Sequence, residues 1–375
     1  MTIATQPPAR PNIALADDDH EQVVIRQDPE TGLRFIVAVH STVLGPALGG
    51  MRLKRYPGGL REALEDVMGL ARTMTLKASA AGLDLGGGKA VMIDDGRDEM
   101  RALRLEGAAR VIEGLEGAYI TAEDIGTTTA DMDHLSRFTR FAVGRSSGNG
   151  GGGDPSPVTA ETVFQAMRQG LAAATGSHEF DGRRVGVVGL GKVGSVLATR
   201  LAEAGARVIA CDLDGERCGC LAAEHGFETA PSAEAILASE LDVLAPCAAG
   251  GLIDEALARA LDCRVVAGAA NNPLTDRGVA RTLMERDILY VPDFLANCGG
   301  LIHVSTEWDR HRLRARPSRA LAQGGQTGAS EAELIAGAME RLELAIETAE
   351  SEGTPPIEVA ERQALERVEA ARRRG

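Results

Sequence analysis

The stretch that decides the fold is Arg184-Val185-Gly186-Val187-Val188-Gly189-Leu190-Gly191-Lys192-Val193-Gly194. Its first five residues predict a buried strand, and a helical pattern follows from Val193 to Glu203. The glycines between them form a G-x-G-x-x-G turn, in which small residues let a pyrophosphate reach backbone N–H groups at the helix N-terminus. The predicted cofactor contacts of this turn are Gly189, Leu190, Gly191, Lys192, Val193 and Gly194.

A carboxylate stands where such a unit needs one. Residues 206–211 predict the second strand, which ends at Asp212, eighteen residues after Gly194. A carboxylate there accepts a hydrogen bond from the ribose 2′-hydroxyl and repels a 2′-phosphate. No arginine directly follows Asp212, so the sequence favours NAD over NADP. A plain strand-end cap is the alternative interpretation of Asp212.

Strand and helix patterns continue to alternate around this unit. A helix is predicted over 159–173, and further strands near 242–244, 264–267 and 288–291. This alternation is typical of an α/β fold with a parallel, doubly wound sheet. Residues 330–374 carry one long amphipathic helical pattern.

A second α/β region precedes this one. Strands are predicted at 22–25, 33–40, 90–93 and 117–121, and helices over 60–80 and 100–113. The Ser- and Gly-rich run 146–157 will not hold a regular element, so we interpret it as a boundary or a mobile rim. Residues 1–20 are expected to form a loosely ordered lead-in, and the basic run 310–319 an extended surface loop.

Composition excludes several classes of protein. The 375 residues include 40 basic and 54 acidic side chains, and this net charge of −14 argues against a nucleic-acid partner. No run of eighteen apolar residues predicts a membrane span, and the N-terminus lacks the apolar core of a signal peptide. The six cysteines lack metal-ligand spacing, so we expect no metal site, free thiols and a cytoplasmic location.

A lysine-bounded stretch predicts chemistry: Met74-Thr75-Leu76-Lys77-Ala78-Ser79-Ala80-Ala81-Gly82-Leu83-Asp84-Leu85-Gly86-Gly87-Gly88-Lys89. Lys89 follows three glycines that allow close backbone approach, and both desolvation and a neighbouring like charge favour a neutral amine. Such a lysine can act as a general base, whereas an ordinary loop lysine beside a tight turn is the alternative. The run is not a phosphate-binding Walker A loop, because Ala90 replaces the required Ser or Thr.

Seven motifs occur in a characteristic order along the chain. They are Leu48-Gly49-Gly50-Met51-Arg52, Lys77 to Lys89, Thr121-Ala122-Glu123-Asp124-Ile125-Gly126-Thr127, Gly153-Asp154-Pro155-Ser156-Pro157-Val158-Thr159, Pro246-Cys247-Ala248-Ala249-Gly250-Gly251, Ala267-Gly268-Ala269-Ala270-Asn271-Asn272 and Asn297-Cys298-Gly299-Gly300. From about His20 to about Glu307 the chain resembles the glutamate/leucine/phenylalanine/valine dehydrogenase family, most closely its bacterial leucine and valine branch.

The resemblance implies an architecture and a reaction. It implies a substrate-binding, catalytic and oligomerisation domain over 1–150, a Rossmann-type NAD domain over 151–305, and C-terminal helices over 306–375 that return to the first domain. The implied reaction is reversible oxidative deamination of an L-amino acid to a 2-oxo acid, with release of ammonia and reduction of NAD. A homo-oligomer, between dimer and octamer, is also implied.

Roles for single residues follow from the matched motifs. Lys89 corresponds to the lysine that activates the attacking water, Lys77 to the lysine that holds the substrate α-carboxylate, and Asp124 to the aspartate that assists proton transfer. The resemblance extends the substrate site to Leu48, Gly49, Gly50, Ala122, Asn271, Leu301 and Val304, and the cofactor site to Thr159, Ala248 and Asn271. Asn272 is the alternative to Asn271. A helix cap and a turn former are the structural alternatives for Asp124 and Asn271.

The side-chain pocket favours an apolar substrate. Leu48 stands where glutamate enzymes of the family carry a lysine, so an anionic side chain would be left unpaired. Ala122 resembles the branched-chain enzymes, Leu301 resembles some phenylalanine enzymes, and Val304 fits either. We therefore expect leucine, valine or isoleucine as substrate, with phenylalanine as the alternative. A non-catalytic NAD-binding regulator is a further alternative, which the presence of both lysines and Asp124 disfavours.

Overall fold

The computed structural model describes residues 19–248, 250–315 and 329–374. The lead-in expected over residues 1–20 lies almost wholly outside these ranges. Two β-sheets, each covered by helices, organise the described chain, and the predicted α/β class with a parallel sheet is confirmed.

The first sheet has the strand order β1-β2-β4-β3-β5. Its strands are β1 (Gln22–Asp28), β2 (Leu33–Ser41), β3 (Ala47–Lys54), β4 (Gly86–Ile93) and β5 (Tyr119–Glu123). The helices α1 (Gly59–Ala80), α2 (Arg101–Gly114) and α3 (Thr129–Leu135) lie between or after them. The pair β1–β2 and the pair β2–β4 are antiparallel, whereas β3 runs parallel to both β4 and β5.

Helix α1 covers one face of this sheet because its apolar residues recur at helical spacing. Val67 and Ala71 pack against Ile36, Ala38 and Val91 of the sheet. Burying a side chain such as that of Val67 contributes roughly 1.5–3 kcal/mol. The packing holds α1 against β2 and β4.

Two predictions about this region are wrong. The strand predicted over 90–93 in fact begins at Gly86, as β4, so Lys89 lies within a strand and not in a loop. Strand β3 was not predicted at all, because its glycines hide the strand pattern. Close packing selects the glycines: a Cβ at Gly87 would lie 2.1 Å from the backbone nitrogen of Thr75 on α1.

The second sheet has the strand order β11-β10-β9-β6-β7-β8, and every pairing in it is parallel. Its strands are β6 (Arg184–Val188), β7 (Arg207–Cys211), β8 (Glu228–Thr229), β9 (Val243–Pro246), β10 (Val265–Val266) and β11 (Leu289–Tyr290). The connecting helices are α4 (Ser156–Thr175), α5 (Lys192–Glu203), α6 (Gly215–His225), α7 (Ala233–Leu237), α8 (Glu255–Ala260) and α9 (Val279–Glu285). Strand order reverses between β6 and β9, and the crevice at such a switch point is where parallel sheets bind ligands.

The remaining helices are α10 (Asp293–Ala296), α11 (Gly299–Ala315), α12 (Glu331–Glu352) and α13 (Pro356–Arg372). Helices α11 and α12 pack on α4, and α13 packs on α1 of the first sheet's region. The single long helix predicted over 330–374 is instead two helices, because Gly353 ends α12 with φ 66° and proline follows.

The surface loop predicted over 310–319 is also wrong in its first part, since residues 310–315 continue α11. The last part, 316–319, lies outside the described residues. No helix in the described ranges combines the length and the apolar character needed to cross a membrane.

Candidate active site

The carboxyl end of the first sheet brings Lys89 and Asp124 together. Lys89 lies on β4, Asp124 directly follows β5, and β3 runs between these two strands. Gly50 of β3 pairs with Ala122 of β5. A Cβ at Gly50 would lie 2.7 Å from the Cβ of Asp124, so only glycine allows the carboxylate to reach across β3.

A buried ion pair results. Lys89 Nζ lies 3.0 Å from Asp124 Oδ2, and only 8% of the lysine side chain and 20% of the aspartate side chain are exposed. Burial opposes ionisation of Asp124, but the Lys89 and Arg52 charges outweigh it and hold the pKa of this carboxyl below its usual range. Asp124 is therefore a carboxylate, and it lies beside the amino group of Lys89.

Asp124 has a second cationic partner. Arg52 of β3 donates from Nε to Asp124 Oδ2 at 3.0 Å and from Nη1 to Asp66 Oδ2 at 3.1 Å. Tyr56 donates its hydroxyl proton to the same Asp66 oxygen at 2.6 Å. A chain of hydrogen bonds thus runs from Tyr56 through Asp66 and Arg52 to Asp124.

Lys77 reaches the same region from α1. Its Nζ donates to Asn297 Oδ1 at 2.6 Å, and Asn297 Nδ2 donates to Asn271 Oδ1 at 3.0 Å and to the Ala269 carbonyl at 3.1 Å. Burial lowers the pKa of Lys77, partly opposed by the negative charge of Asp293 and Asp124 nearby. An arriving carboxylate would restore the preference of this lysine for its charged form.

The residues expected to form the side-chain pocket are buried and apolar. Leu48, Ala122, Leu301 and Val304 are each at most 6% exposed. Gly144 lies close to two of these residues, because a Cβ there would lie 3.9 Å from both Ala122 Cβ and Val304 Cγ1. The structure thus places Ala122 and Val304 beside the same backbone position.

Glu307 fixes the backbone at Gly144 and Gly152. Its carboxylate is 1% exposed and accepts hydrogen bonds from the Gly144 and Gly152 N–H groups, each at 2.9 Å. Arg145 Nε donates to the other carboxylate oxygen at 2.9 Å. The glycine-rich run interpreted from the sequence as a boundary or a mobile rim is therefore tied to α11 at Gly152.

The predicted dinucleotide turn has the required geometry at each glycine. Gly189 has φ 101°, which only glycine adopts readily, and Gly194 is so close that a Cβ would lie 2.1 Å from the Gly189 carbonyl oxygen. A Cβ at Gly191 would meet nothing within 4 Å. The turn therefore leaves open space at the N-terminus of α5, where a pyrophosphate fits.

Asp212 lies beside this turn. Its Oδ2 accepts the Leu190 N–H at 2.6 Å, and its Oδ1 lies 3.2 Å from Arg217 Nη2. Burial opposes ionisation, but the Asp214 and Leu190 N–H groups and Arg217 lower the pKa of Asp212. Arg217 was not predicted to lie here, because it belongs to the first turn of α6 and does not directly follow Asp212.

The other predicted cofactor residues lie around the cleft. Ala248 contacts the turn, since a Cβ at Gly189 would lie 2.9 Å from Ala248 Cβ. Thr159 sits in α4 and donates its hydroxyl to the Pro155 carbonyl at 3.0 Å. Lys192 is largely exposed and extends towards Glu123 of the first sheet, with 4.0 Å between Nζ and Oε1. Lys192 of the cofactor turn therefore lies near the residue that precedes Asp124.

Asn271 and Asn272 differ in their surroundings. Asn271 takes part in the Asn297 contact, whereas Asn272 has φ 48° and donates its backbone N–H to Asp293 Oδ2 at 2.7 Å. Within the described residues, no group of His, Cys, Asp and Glu side chains is arranged to hold a metal ion.

Comparison with known families gives this arrangement its context. Residues 20–140 match the model described as Glu/Leu/Phe/Val dehydrogenase, dimerisation domain, and residues 215–375 match that of Glutamate/Leucine/Phenylalanine/Valine dehydrogenase. The chain belongs to the glutamate/leucine/phenylalanine/valine dehydrogenase family. Residues 160–246 also match the NAD-binding domain model of D-isomer-specific 2-hydroxyacid dehydrogenases, so an NAD-binding domain surrounds the turn described above.

Individual relatives agree with this membership. The chain is 39% identical to a leucine dehydrogenase of Thermoactinomyces intermedius over 95% of this chain and 92% of the relative. It is 45% identical to a valine dehydrogenase of Streptomyces virginiae over 80% of this chain and 85% of the relative. The solved structure of L-tryptophan dehydrogenase from Nostoc punctiforme superposes with a TM-score of 0.75 at 29% identity, over 95% of this chain and 97% of that chain.

Sequence reasoning about this family member missed three residues of the site. Arg52 and Asn297 were quoted within motifs but given no role, and Glu307 was only the end of the resemblance. Their partners are remote in sequence, since Arg52 meets Asp124 and Asn297 meets Lys77. A signal existed for two of them, since the motifs of Arg52 and Asn297 each hold paired glycines, Gly49-Gly50 and Gly299-Gly300.

Proposed function

We propose that this dehydrogenase catalyses the reversible, NAD-dependent oxidative deamination of leucine, valine and isoleucine. In this reaction the L-amino acid, NAD⁺ and water yield the 2-oxo acid, ammonium, NADH and a proton. The observation that carries the proposal is the buried Lys89–Asp124 pair, with 3.0 Å between Nζ and Oδ2. The relatives named as leucine and valine dehydrogenases support the substrate class.

The chain's own residues divide the work. NAD⁺, when bound at the turn, would supply the acceptor for the hydride of the amino acid Cα. Lys77 holds the α-carboxylate and so fixes Cα, which contributes orientation as well as charge. Lys89 activates the water that attacks the resulting substrate imine, and Asp124 takes and returns protons at the substrate nitrogen.

The apolar pocket supports a branched-chain substrate. Leu48 is 1% exposed and offers no charge to a side-chain carboxylate, which argues against glutamate. Ala122 and Val304 lie beside Gly144, and both offer only methyl groups there. Phenylalanine remains the second candidate because of Leu301, and the two substrate classes differ by apolar contacts alone.

We infer that NAD is preferred over NADP. The Asp212 carboxylate beside the turn would repel a 2′-phosphate, and Arg217 is already paired with it. Ala248, Thr159, Asn271 and Lys192 complete the proposed cofactor contacts, and on the substrate side Gly49 and Gly50 leave room for β4 and for Asp124. Asn271, rather than Asn272, is proposed to contact the substrate because its side chain reaches the Lys77–Asn297 contact.

Organisation beyond the site is proposed in the same way. We assign residues 1–150 to the substrate domain, 151–305 to the NAD domain and 306–375 to the returning helices, supported by the packing of α13 on α1. A homo-oligomer is supported by the match of residues 20–140 to a dimerisation domain. A cytoplasmic location is supported by the six cysteines, all of which are free.

A substrate panel tests the proposed function. NADH formation is followed by absorbance at alkaline pH with L-leucine, L-valine, L-isoleucine, L-phenylalanine and L-glutamate in turn. We expect the highest kcat/KM with an aliphatic substrate and the lowest with glutamate. A phenylalanine preference would support the second candidate. NADH binding without turnover of any amino acid would leave the non-catalytic regulator as the function.

A further inference from the structure

Arg52 lies at the centre of a charged cluster that the proposed roles do not use. Its side chain is only 14% exposed and is held between two carboxylates, those of Asp124 and Asp66. Strand β3 places Arg52 next to Val91 of β4, two positions from Lys89, and beyond the last paired residue of β5. The side chain therefore lies on the same face of the sheet as Lys89 and Asp124, the face that α1 covers.

We propose that Arg52 is the positioning residue of the deamination reaction: it orients the Asp124 carboxylate against Lys89 and sets the pH range in which that pair works. This inference rests on the proposed function of Lys89 and Asp124. Arg52 does not touch substrate or cofactor in this scheme. It acts through Asp124 alone.

The geometry around Asp124 explains how Arg52 orients this carboxylate. Arg52 Nε and Lys89 Nζ lie at the same distance, 3.0 Å, from the same oxygen, Asp124 Oδ2. Two donors converging on one oxygen leave the carboxylate little freedom to rotate. The Asp124 backbone adds to this, since its N–H donates to Thr127 Oγ1 at 2.9 Å.

The second carboxylate explains why the residue is arginine. Nε donates a hydrogen bond to Asp124 and Nη1 donates one to Asp66, so the planar guanidinium bridges the two carboxylates. The single ammonium of a lysine could not donate to both with good geometry. Arginine also stays charged at alkaline pH, where a lysine would begin to lose its proton. Both acids in turn raise the pKa of Arg52, against the opposing effect of its burial.

Tyr56 anchors the far end of the cluster. Burial and the adjacent Asp66 carboxylate raise the pKa of the Tyr56 hydroxyl, which therefore remains a donor to Asp66 at alkaline pH. Removing this hydroxyl would loosen Asp66, and through it Arg52, without changing any charge. Tyr56→Phe is thus a mild perturbation of the same cluster.

The charges around Asp124 give the pH effect a definite sign. The groups that face it are Lys89 on β4, Arg52 on β3, Tyr119 on β5, and Lys77 and Asp66 on α1. Of these, Arg52 is a permanent cation in contact with the carboxylate. Removing a cation raises the affinity of every nearby group for protons. Without Arg52, the Asp124 carboxylate will therefore hold a proton to higher pH.

Three variants, Arg52→Gln, Arg52→Lys and Tyr56→Phe, test the inference. For each, kcat/KM is measured as a function of pH, and NADH affinity and melting temperature are measured beside it. The carboxylates are titrated by infrared spectroscopy in protein labelled with ¹³C-aspartate. Asp124→Asn identifies the Asp124 band. Arg52→Gln should lower kcat about 100-fold, and should move both the acid limb of kcat/KM and the Asp124 band upward by about 1–3 pH units. Arg52→Lys should return the acid limb and the Asp124 band most of the way to their positions in the unmodified protein, but should recover little of the rate. Tyr56→Phe should lower kcat slightly and leave the acid limb in place.

The control variant is Arg61→Gln, which removes an exposed arginine of α1 that pairs with Glu65 at 3.0 Å. It should change neither the profile nor the band. A uniform loss of rate in Arg52→Gln, with acid limb and Asp124 band unmoved, would overturn the inference. If the unmodified protein turned over no amino acid, the proposed function would fail, yet the infrared titration would still decide whether Arg52 controls Asp124.

Discussion

Lys77 and Asn297 are 220 positions apart in sequence, and a hydrogen bond of 2.6 Å joins Nζ of the first to Oδ1 of the second. The bond connects α1, which covers the first sheet, with the residue that follows α10. Asn297 is itself held by the Ala269 carbonyl and by Asn271. The proposed carboxylate anchor is therefore held in place from the side of the dinucleotide-binding domain.

Asn297→Ala should raise KM for the amino acid about tenfold, because the loss of one hydrogen bond to a charged group costs about 1.5–3 kcal/mol. NADH affinity should change little. Initial rates at varied amino acid and separate NADH titrations check this. Asn297→Asp is the sharper variant, since its carboxylate would pair with Lys77 and repel the substrate. An unchanged KM in Asn297→Asp would show that Lys77 does not receive the substrate carboxylate.

The pKa of Lys77 is lowered by burial, so the free enzyme should lose the charge of this lysine at a lower pH than an exposed lysine would. KM for the amino acid should therefore rise as pH increases towards the usual lysine range, while KM for NAD stays level. Lys77→Arg retains its charge at alkaline pH and should flatten this rise, whatever its effect on the absolute rate. A parallel rise of KM in both proteins would refute the assignment.

The contact between Asp212 and Arg217 makes a prediction about cofactor choice. Asp212→Ser removes the negative charge and frees Arg217, so the ratio of kcat/KM for NADP to that for NAD should rise by about tenfold or more, given about 1.5–3 kcal/mol for a charge-assisted hydrogen bond. The double variant Asp212→Ser/Arg217→Ala separates repulsion from attraction and should lose most of this gain. No change in the ratio would mean that Asp212 is only a strand-end cap.

Gly144 allows a test of the side-chain pocket. Gly144→Ala would place a methyl group 3.9 Å from Ala122 and Val304, and its φ of 73° adds backbone strain. The matched control is Gly150→Ala, which has a φ of 78° but open space around its Cβ. Gly144→Ala should lower kcat/KM for leucine about tenfold more than for valine, whereas Gly150→Ala should leave that ratio unchanged. Equal ratios in both variants would place the substrate side chain elsewhere.

Much of this structure follows from local sequence pattern. The turn at Gly189 to Gly194 and the alternating strands and helices after it predicted the parallel sheet, because glycine spacing and hydrophobic period are local properties. Strand β3 was missed because Gly49 and Gly50 carry no side chain to show the strand period. Glycine is required at both positions by tertiary packing, because Gly50 leaves room for Asp124 and Gly49 leaves room for the backbone of β4.

The site was predictable only in part for the same physical reason. Lys77, Lys89 and Asp124 could be proposed from motifs, but Arg52 and Asn297 gain their meaning from partners far along the chain. Arg217 likewise reaches Asp212 only because α6 turns back over β7. Hydrogen bonds between remote elements depend on the packing of whole sheets and helices, which spacing along one chain does not encode.

The measurement that tests the central claim most directly is the turnover of Lys89→Ala with the best amino acid of the panel, beside its NADH affinity. We predict that kcat falls by about 10²–10⁴-fold, the range for loss of a general base, while NADH affinity and melting temperature stay near those of the unmodified protein. Retention of most of kcat in Lys89→Ala would contradict the assignment of Lys89 as the base, and with it the account of how this site deaminates an amino acid.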